Sequence, residues 1–514
     1  MSFKVLITTS GTGSRLGELT DFTNKSLIRV GNKPSISYII ENYPTNVRFV
    51  ITLGHYGNHV REFLEMVYPD RSFEFVIVDK FKGLGSSLVY SILQAKENLQ
   101  CPFIFHACDT ILSESYSLLD AVECNFCIGS EVEDSSQYST LMISGDEVVK
   151  INEKGELNYD AAYVGVCGIK DYELFWHDLD ELHRKNNATS SLFEGNIINK
   201  MLNKVKFSFI KTSGWFDTGN VGELEKARKR FVASAEVLEK KEESIYFFKN
   251  HVVKFFHNQQ VAHHRVNRGR QLGSIVPKIV DFKNNFYKYE KVHGELFSKV
   301  VTADSFSDLL YWSKENLWKK KDTQKIDDLC YKFYVEKTIS RINKYTSKYG
   351  DTSQTINGLM VPKATELLNE IDNKWLCSGV SCQFHGDFIL DNILQTKDGF
   401  CLLDWRQDFG GHLEIGDIYY DLAKLNHNLV VNHEIVNKNL FDHTETTCHI
   451  LCNSTLISCK KILQNFVEES ELDFKKVELL TSLIWINMAP LHEYPFDKFL
   501  FNFGKYNLAR CLRD

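Results

Sequence analysis

The chain has 514 residues, of which 43% are hydrophobic and 25% charged, values of folded globular proteins that leave no compositional sign of long disorder. Sixty basic against 67 acidic residues give a net charge of −7, which argues against broad, non-specific nucleic-acid binding. No apolar run approaches the roughly 20 residues that a membrane helix needs.

This length exceeds one ordinary core and predicts two or three domains. The first residues, Met1 to Thr8, read as a β-strand and not as a signal peptide. The 13 cysteines are scattered without small-domain spacing, so reduced thiols in a cytoplasmic protein are expected. Cys448, Cys452 and Cys459 lie four and seven apart in an apolar stretch, which reads as a buried helical stripe in preference to a metal site.

From residue 1 to about 125, short apolar runs alternate with amphipathic segments. Residues 5–9, 49–53, 73–78 and 103–106 read as buried strands, and 34–42, 60–66 and 86–99 as intervening helices. That alternation predicts an α/β domain with a mainly parallel sheet. From about 126 to 209 the pattern turns to strand–turn–strand, as in 140–149. Residues 223–243 are highly charged and helical in composition, and the domain junction is placed there. Short strands are then expected within 244–254 and 278–291, around a polar helix over 258–272. Beyond about 300 the chain reads as mostly helical.

The loop after the first strand, Ser10-Gly11-Thr12-Gly13-Ser14-Arg15, can turn the backbone sharply and aim its amides at phosphates, with Arg15 as a fixed cation. Asn24-Lys25 and Lys33-Pro34 follow at short spacing. Together these resemble the nucleotidyltransferases that activate sugar 1-phosphates and phosphocholine, with Asn24 where that family has proline. The resemblance runs to about residue 230. It implies a Rossmann-like (GT-A-like) fold, with Arg15 and Lys25 catalytic and Gly11, Gly13, Ser14, Gly83, Gly85 and Ser86 around the nucleotide. Asp109 and Asp217 match its two magnesium aspartates, and Glu153, Lys154 and Gly165 its sugar-contacting segments.

The second chemical signature is His385-Gly386-Asp387, with Asn392 five residues after Asp387 and Asp404 twelve further on at the end of an apolar strand. In kinase chemistry such an aspartate accepts the substrate's hydroxyl proton, and the asparagine and later aspartate hold magnesium. With Gly416-Asp417 following, the block resembles the aminoglycoside phosphotransferase and choline kinase family over about 244–514. That resemblance implies a two-lobed, protein-kinase-like α+β fold, Asp387 as base, Asn392 and Asp404 as metal ligands, Lys254 on the ATP phosphates, and Glu290 at the adenine-binding lobe connection. The small lobe departs from the pattern twice. No glycine lies between Ser244 and Lys254, and no acidic residue between Lys254 and Asp281. His385 reads as structural, Asp417 and Asp421 as braces, and His492 as a surface histidine.

The expected organisation is a nucleotidyltransferase domain over 1–232, a linker helix over 233–243, and a kinase-like domain over 244–514. Within the last, the small lobe runs to about 295 and the helical lobe from 296. The expected function is a bifunctional transferase. ATP phosphorylates a sugar or amino alcohol, and a second NTP then supplies NMP to that phosphate, giving an NDP-activated donor for surface-glycan synthesis. One alternative is a choline- or ethanolamine-type kinase with a phosphocholine cytidylyltransferase. Another is an active nucleotidyltransferase whose kinase-like part is a sensor. Magnesium is expected at both sites, with small molecules as partners, no nucleic acid or membrane, and self-association left open.

Overall fold

The computed structural model describes residues 3–113, 122–185, 192–233, 240–323 and 325–513. They form two compact units, one of residues up to 259 with 280–289, the other of 260–279 with 290 onward.

The first unit is built on a nine-stranded mixed sheet. In spatial order its strands are Ser72–Ile77, Arg48–Leu53, Lys4–Thr8, Phe103–Ala107, Ala161–Ile169, Phe126–Ser130, Phe207–Thr212, Glu147–Asn152 and Thr140–Ser144. The first four run parallel. Lys4–Thr8, Arg48–Leu53 and Phe103–Ala107 have the near-continuous apolar sequences that burial on both faces requires, whereas Ser72–Ile77, expected to be buried, is half-exposed at the sheet's edge. Ala161–Ile169 then enters antiparallel, and the expected hairpin forms from Thr140–Ser144 and Glu147–Asn152. Thr8 pairs with Ala107 in register, so the glycine loop and Asp109 leave adjacent strands side by side. This is the carboxyl edge at which open α/β sheets bind ligands.

The units divide the chain differently from the boundaries expected at 232 and 244. Strands Glu243–Phe247, His251–Phe256 and Phe286–Glu290, with Ile279–Lys283, form a four-stranded sheet. All of that sheet but the end residues Ile279 and Glu290 lies within the first unit. The packing explains the division. Tyr246, Phe248, Val253, Phe255 and Phe286 bury in one cluster with Val60, Phe63 and Leu64 of helix Gly57–Val67. Phe63 is fully buried, its ring centroid 5.3 Å from that of Tyr246 and 5.9 Å from that of Phe286. Tyr246 Oη donates to Leu27 O at 2.7 Å. The expected linker at 233–243 falls largely outside the described residues; the helix before it is Val221–Arg230.

The second unit is mainly helical around one large core. A small sheet of Glu295–Leu296, Ile393–Thr396 and Gly399–Leu402 carries the segment between Asn392 and Asp404. Helices Ile418–Val430, Phe474–Met488 and Phe496–Arg513 form its centre. The cysteine stripe is not helical throughout. Asn453 caps helix Ser454–Glu469 by accepting from Thr455 N, which leaves Cys452 exposed before it and Cys448 in the strand Cys448–Ile450. The 13 cysteines are unpaired.

Candidate active sites

In the first unit a cleft of about 660 Å³ gathers Gly11, Arg15, Lys25, Ser86, Asp109, Glu153, Lys154, Gly165 and Asp217. Gly13, Ser14, Gly83 and Gly85 are outside its lining, although their loops reach it through Thr12, Phe81 and Ser87. Gly13 has φ of 70°, and a β-carbon there would come within 2.9 Å of Thr20 and 3.0 Å of Lys25, so the turn requires glycine.

Two devices hold the charged groups. The strand Trp215–Asp217 pairs antiparallel with Thr110–Leu112, and Thr218 donates to Asp109 O through both its N (2.8 Å) and its Oγ1 (3.0 Å). The two aspartates are thereby brought together: Asp109 Oδ2 and Asp217 Oδ1 each lie 3.0 Å from the point a β-carbon on Gly219 would occupy, with Arg15 Nη2 at 3.3 Å. The second device is Asn24, fully buried where the resembled family has proline. Its Nδ2 donates to Thr9 O (2.8 Å) and His55 O (2.6 Å), while its Oδ1 accepts from Ser26 N and Oγ. Those bonds cap the short turn Lys25–Leu27 and aim Lys25 Nζ at Asp109 Oδ2, 2.9 Å away.

Charge follows from this geometry. Burial alone would lower Lys25, but the Asp109 carboxylate outweighs it and holds the ammonium above its usual range. Asp109 is correspondingly lowered: burial opposes its ionisation, and Lys25 and Arg15 prevail. Asp217 is pushed up to about 6 by burial and by the neighbouring Asp109. A carboxylate that the motifs did not reveal, Glu194, also lines the cleft, and burial pushes it up to about 7. Tyr138 and Trp215, rings 4.9 Å apart, line the cleft as well.

The second unit holds the His385 block. Asp421, fully buried in helix Ile418–Val430, accepts from His385 N (2.7 Å), Gly386 N (2.6 Å) and Trp318 Nε1 (3.1 Å). Asp417 accepts from Val380 N and Tyr334 Oη. His385 is buried, its Nε2 donating to Leu403 O (2.9 Å) and its Nδ1 accepting from Asp387 N (3.2 Å). That pattern is the neutral ring, and burial lowers it to about 4. Asn392 Nδ2 donates to Asp387 O and Oδ2 at 2.9 and 3.1 Å, which leaves its Oδ1 turned away.

Two cations absent from the sequence reading complete this site. Lys424 Nζ lies 2.8 Å from Asp387 Oδ1. Burial would raise Asp387, but Lys424 reverses that and holds it at about 2. Arg265, on helix Gln259–Leu272, pairs with Asp404 Oδ1. Asp404 itself sits in the left-handed region, φ 55°, a costly conformation for a residue with a side chain. Arg268, one turn on, stacks on Phe384 at 3.8 Å and donates to Arg406 O and Phe384 O.

Lys254 is not gathered with these residues into one compact unit, whereas Glu290 falls within theirs. Lys254 is buried in strand His251–Phe256 of the first unit. Glu290 is exposed at the start of the second unit's longer segment, 3.3 Å from Lys278. The hairpin holding Lys254 turns tightly, Phe248 N donating to His251 O, with no phosphate-binding glycine loop between its strands. His492 is partly exposed.

A family model described as the phosphotransferase enzyme family matches residues 344–434, the stretch containing Asp387, Asn392, Asp404 and Lys424. A bifunctional protein GlmU of Methanococcus vannielii is 23% identical over 151 residues, 29% of this chain and 34% of that protein, so the chain spans about a third of its length. Among solved structures, a CTP:phosphocholine cytidylyltransferase from Streptococcus pneumoniae is 20% identical, with a TM-score of 0.38, over 45% of this chain and 99% of that one. HddC from Yersinia pseudotuberculosis is 21% identical, with a TM-score of 0.36, over 45% and 99%. The second unit thus holds a stretch, residues 344–434, that is similar to the phosphotransferase enzyme family, and the first holds a charged cleft around Arg15, Lys25, Asp109 and Asp217.

Proposed function

We propose that the two parts catalyse successive steps: ATP-dependent phosphorylation of a small hydroxylated metabolite, then transfer of NMP from an NTP to the new phosphate. The observation that carries this reading is that each unit holds its own cluster for handling phosphate charge. Lys25, Arg15, Asp109 and Asp217 stand in the first, and Asp387, Asn392, Asp404 and Lys424 in the second.

In the first step Asp387 accepts the proton of the attacking hydroxyl as its oxygen bonds to the γ-phosphorus. The bond to the β–γ bridging oxygen breaks and ADP leaves. Lys424 keeps Asp387 ionised and fixed, and Asp421 holds the loop beneath it. In the second step an oxygen of the phosphate monoester attacks the α-phosphorus of the NTP, and pyrophosphate leaves. Arg15 and Lys25 offset the charge that crowds there, and no protein nucleophile is needed.

The donor sets suit magnesium. Asp109 and Asp217 would hold it in the first unit, and Asn392 Oδ1 with Asp404 in the second. Magnesium, when bound, neutralises phosphate charge. The sugar reading of the acceptor is supported by Glu153, Lys154 and Gly165 in the cleft lining, and the product would then be an NDP-sugar for surface-glycan synthesis in the cytoplasm. A second reading, a kinase-like part without catalysis, draws on Arg265, which occupies Asp404 Oδ1.

Mass spectrometry of products from mixed NTPs with sugars and amino alcohols tests the proposal. An NDP-linked product formed from an unphosphorylated acceptor is expected. An NDP-linked product formed only from phosphorylated acceptors would favour the non-catalytic reading.

A further inference from the structure

A second cavity, of about 160 Å³, lies wholly in the second unit and is lined by Lys337, Arg341, Arg406 and Lys424, with no carboxylate in its lining. Lys424 is the residue whose ammonium pairs with Asp387, so the cavity lies one side chain away from the proposed base. Its walls are the π-helical turn Tyr331–Glu336, helix Lys337–Tyr349, helix Ile418–Val430 and the last turns of Phe474–Met488. A π-turn inside a helix is rare and frequently marks a functional site.

Three of these cations have no acidic partner among the described residues: no carboxylate there forms an ion pair with Lys337, Arg341 or Arg406. Lys337 rests instead on the Phe333 ring at 4.0 Å, and Arg406 on the same ring at 4.9 Å. Burial, and then Arg406, Arg341 and Lys424, hold Lys337 well below the ordinary lysine range, with Asp408 opposing them from outside the lining. Two buried polar atoms of the lining also lack hydrogen-bond partners, Arg406 Nε and Asn487 Oδ1, a donor and an acceptor. Buried polar groups ordinarily find partners, and clustered like charges repel, so the arrangement is one that an anion with a hydroxyl would complete.

We infer that this cavity binds the acceptor of the phosphotransferase step, and that the acceptor is a small alcohol already carrying an anionic group, a phosphate or a carboxylate. The inference rests on the phosphotransferase reading above and narrows its substrate class. It disfavours choline and other amino alcohols, whose cation would meet four basic side chains and no carboxylate in the lining. The cavity is smaller than the roughly 300–1,000 Å³ of pockets for drug-sized ligands, which suits a compact acceptor. It also implies that the nucleotidyltransferase step receives a substrate with a second anionic group besides the phosphate it activates.

The test uses the full chain with ATP and four acceptors: a hexose 6-phosphate, a hexuronic acid, the neutral hexose and choline. At least one anionic acceptor should exceed the neutral hexose and choline in kcat/KM by roughly tenfold or more. The two anionic arms distinguish phosphate from carboxylate. Arg341→Met and Lys337→Met should raise KM for the anionic acceptor by a similar factor and leave KM for ATP unchanged, with Arg341→Lys restoring most of the loss. Preference for choline or the neutral hexose would overturn the inference, as would variants that raise KM for ATP instead, since the cations would then serve the nucleotide. If no acceptor is phosphorylated, the phosphotransferase reading itself fails. Calorimetric titration of the hexose 6-phosphate and the hexuronic acid then decides separately. Heat that Arg341→Met abolishes keeps the anion site; no heat, or heat unchanged by the variant, removes it.

Discussion

Replacing Gly219 with alanine should separate the two activities. The new methyl would stand 3.0 Å from Asp109 Oδ2, 3.0 Å from Asp217 Oδ1 and 3.3 Å from Arg15 Nη2. Carbon–oxygen contacts relax to about 3.4 Å or more, so each carboxylate oxygen must retreat by about 0.4 Å. A reacting constellation tolerates about 0.5 Å, and a displacement of 1 Å can cost about 100-fold. Shifts of that size, close to the limit, should lower nucleotidyl transfer by up to roughly 10-fold, or about 1.4 kcal/mol of transition-state stabilisation. The backbone at Gly219 is not in the left-handed region, so folding should change little. Pyrophosphate release from an NTP and a panel of sugar 1-phosphates measures the first activity, and acceptor-dependent ADP formation the second. Full pyrophosphate release by a normally folded Gly219→Ala would refute the view that these carboxylates work from where they stand.

Other perturbations address the supports. Asp421→Ala strips the acceptor from His385 N, Gly386 N and Trp318 Nε1, and at about 1–3 kcal/mol per orphaned buried donor it should destabilise the second unit and abolish ADP formation. Melts of that variant should show the first unit's transition, and its pyrophosphate release, retained. His385 is neutral in the folded protein and lowered to about 4, against an unfolded value near 6.5. Its contribution is complete above about pH 6.5 and is lost as pH falls toward 4, by up to about 3 kcal/mol. The stability gap between wild type and His385→Gln should accordingly narrow over that window in pH-dependent melts. Phe63→Ala removes a fully buried ring under the four-stranded sheet and should cost about 3–5 kcal/mol, read as a lower first transition.

Much of the site could be read from residue order because its parts are short and rigidly spaced. The offset from Asp387 to Asn392 lets Asn392 Nδ2 fold back onto Asp387, and parallel strands ending at Thr8 and Ala107 must deliver the glycine loop and Asp109 together. Lys424 was within reach. It lies three residues beyond Asp421, one helical turn on, so a cation there shares the face that braces the loop. Lys337 and Arg341 carry the same kind of signal, four apart on one helix. Arg265 was hidden because the kinase pattern asks for a carboxylate on that helix, and the helix offers a cation to Asp404 instead. Glu194 belongs to no motif, and only the packing of helix Glu194–Met201 brings it to the cleft. The sheet of residues 243–290 could not be placed from its strands alone. Its apolar face reads the same whichever partner covers it, and Phe63 of the first unit proved to be that partner.

The central claim is an order of chemistry: the phosphotransferase site acts first and the nucleotidyltransferase site second. The most direct measurement follows products by mass spectrometry for wild type, Asp387→Asn and Asp109→Ala, each given ATP, an NTP and either unphosphorylated or phosphorylated acceptor. Asp387→Asn should form the NDP-linked product only from the phosphorylated acceptor, while Asp109→Ala should accumulate the phosphorylated intermediate and form no NDP-linked product. Wild-type yields from the unphosphorylated acceptor in Asp387→Asn would contradict the account.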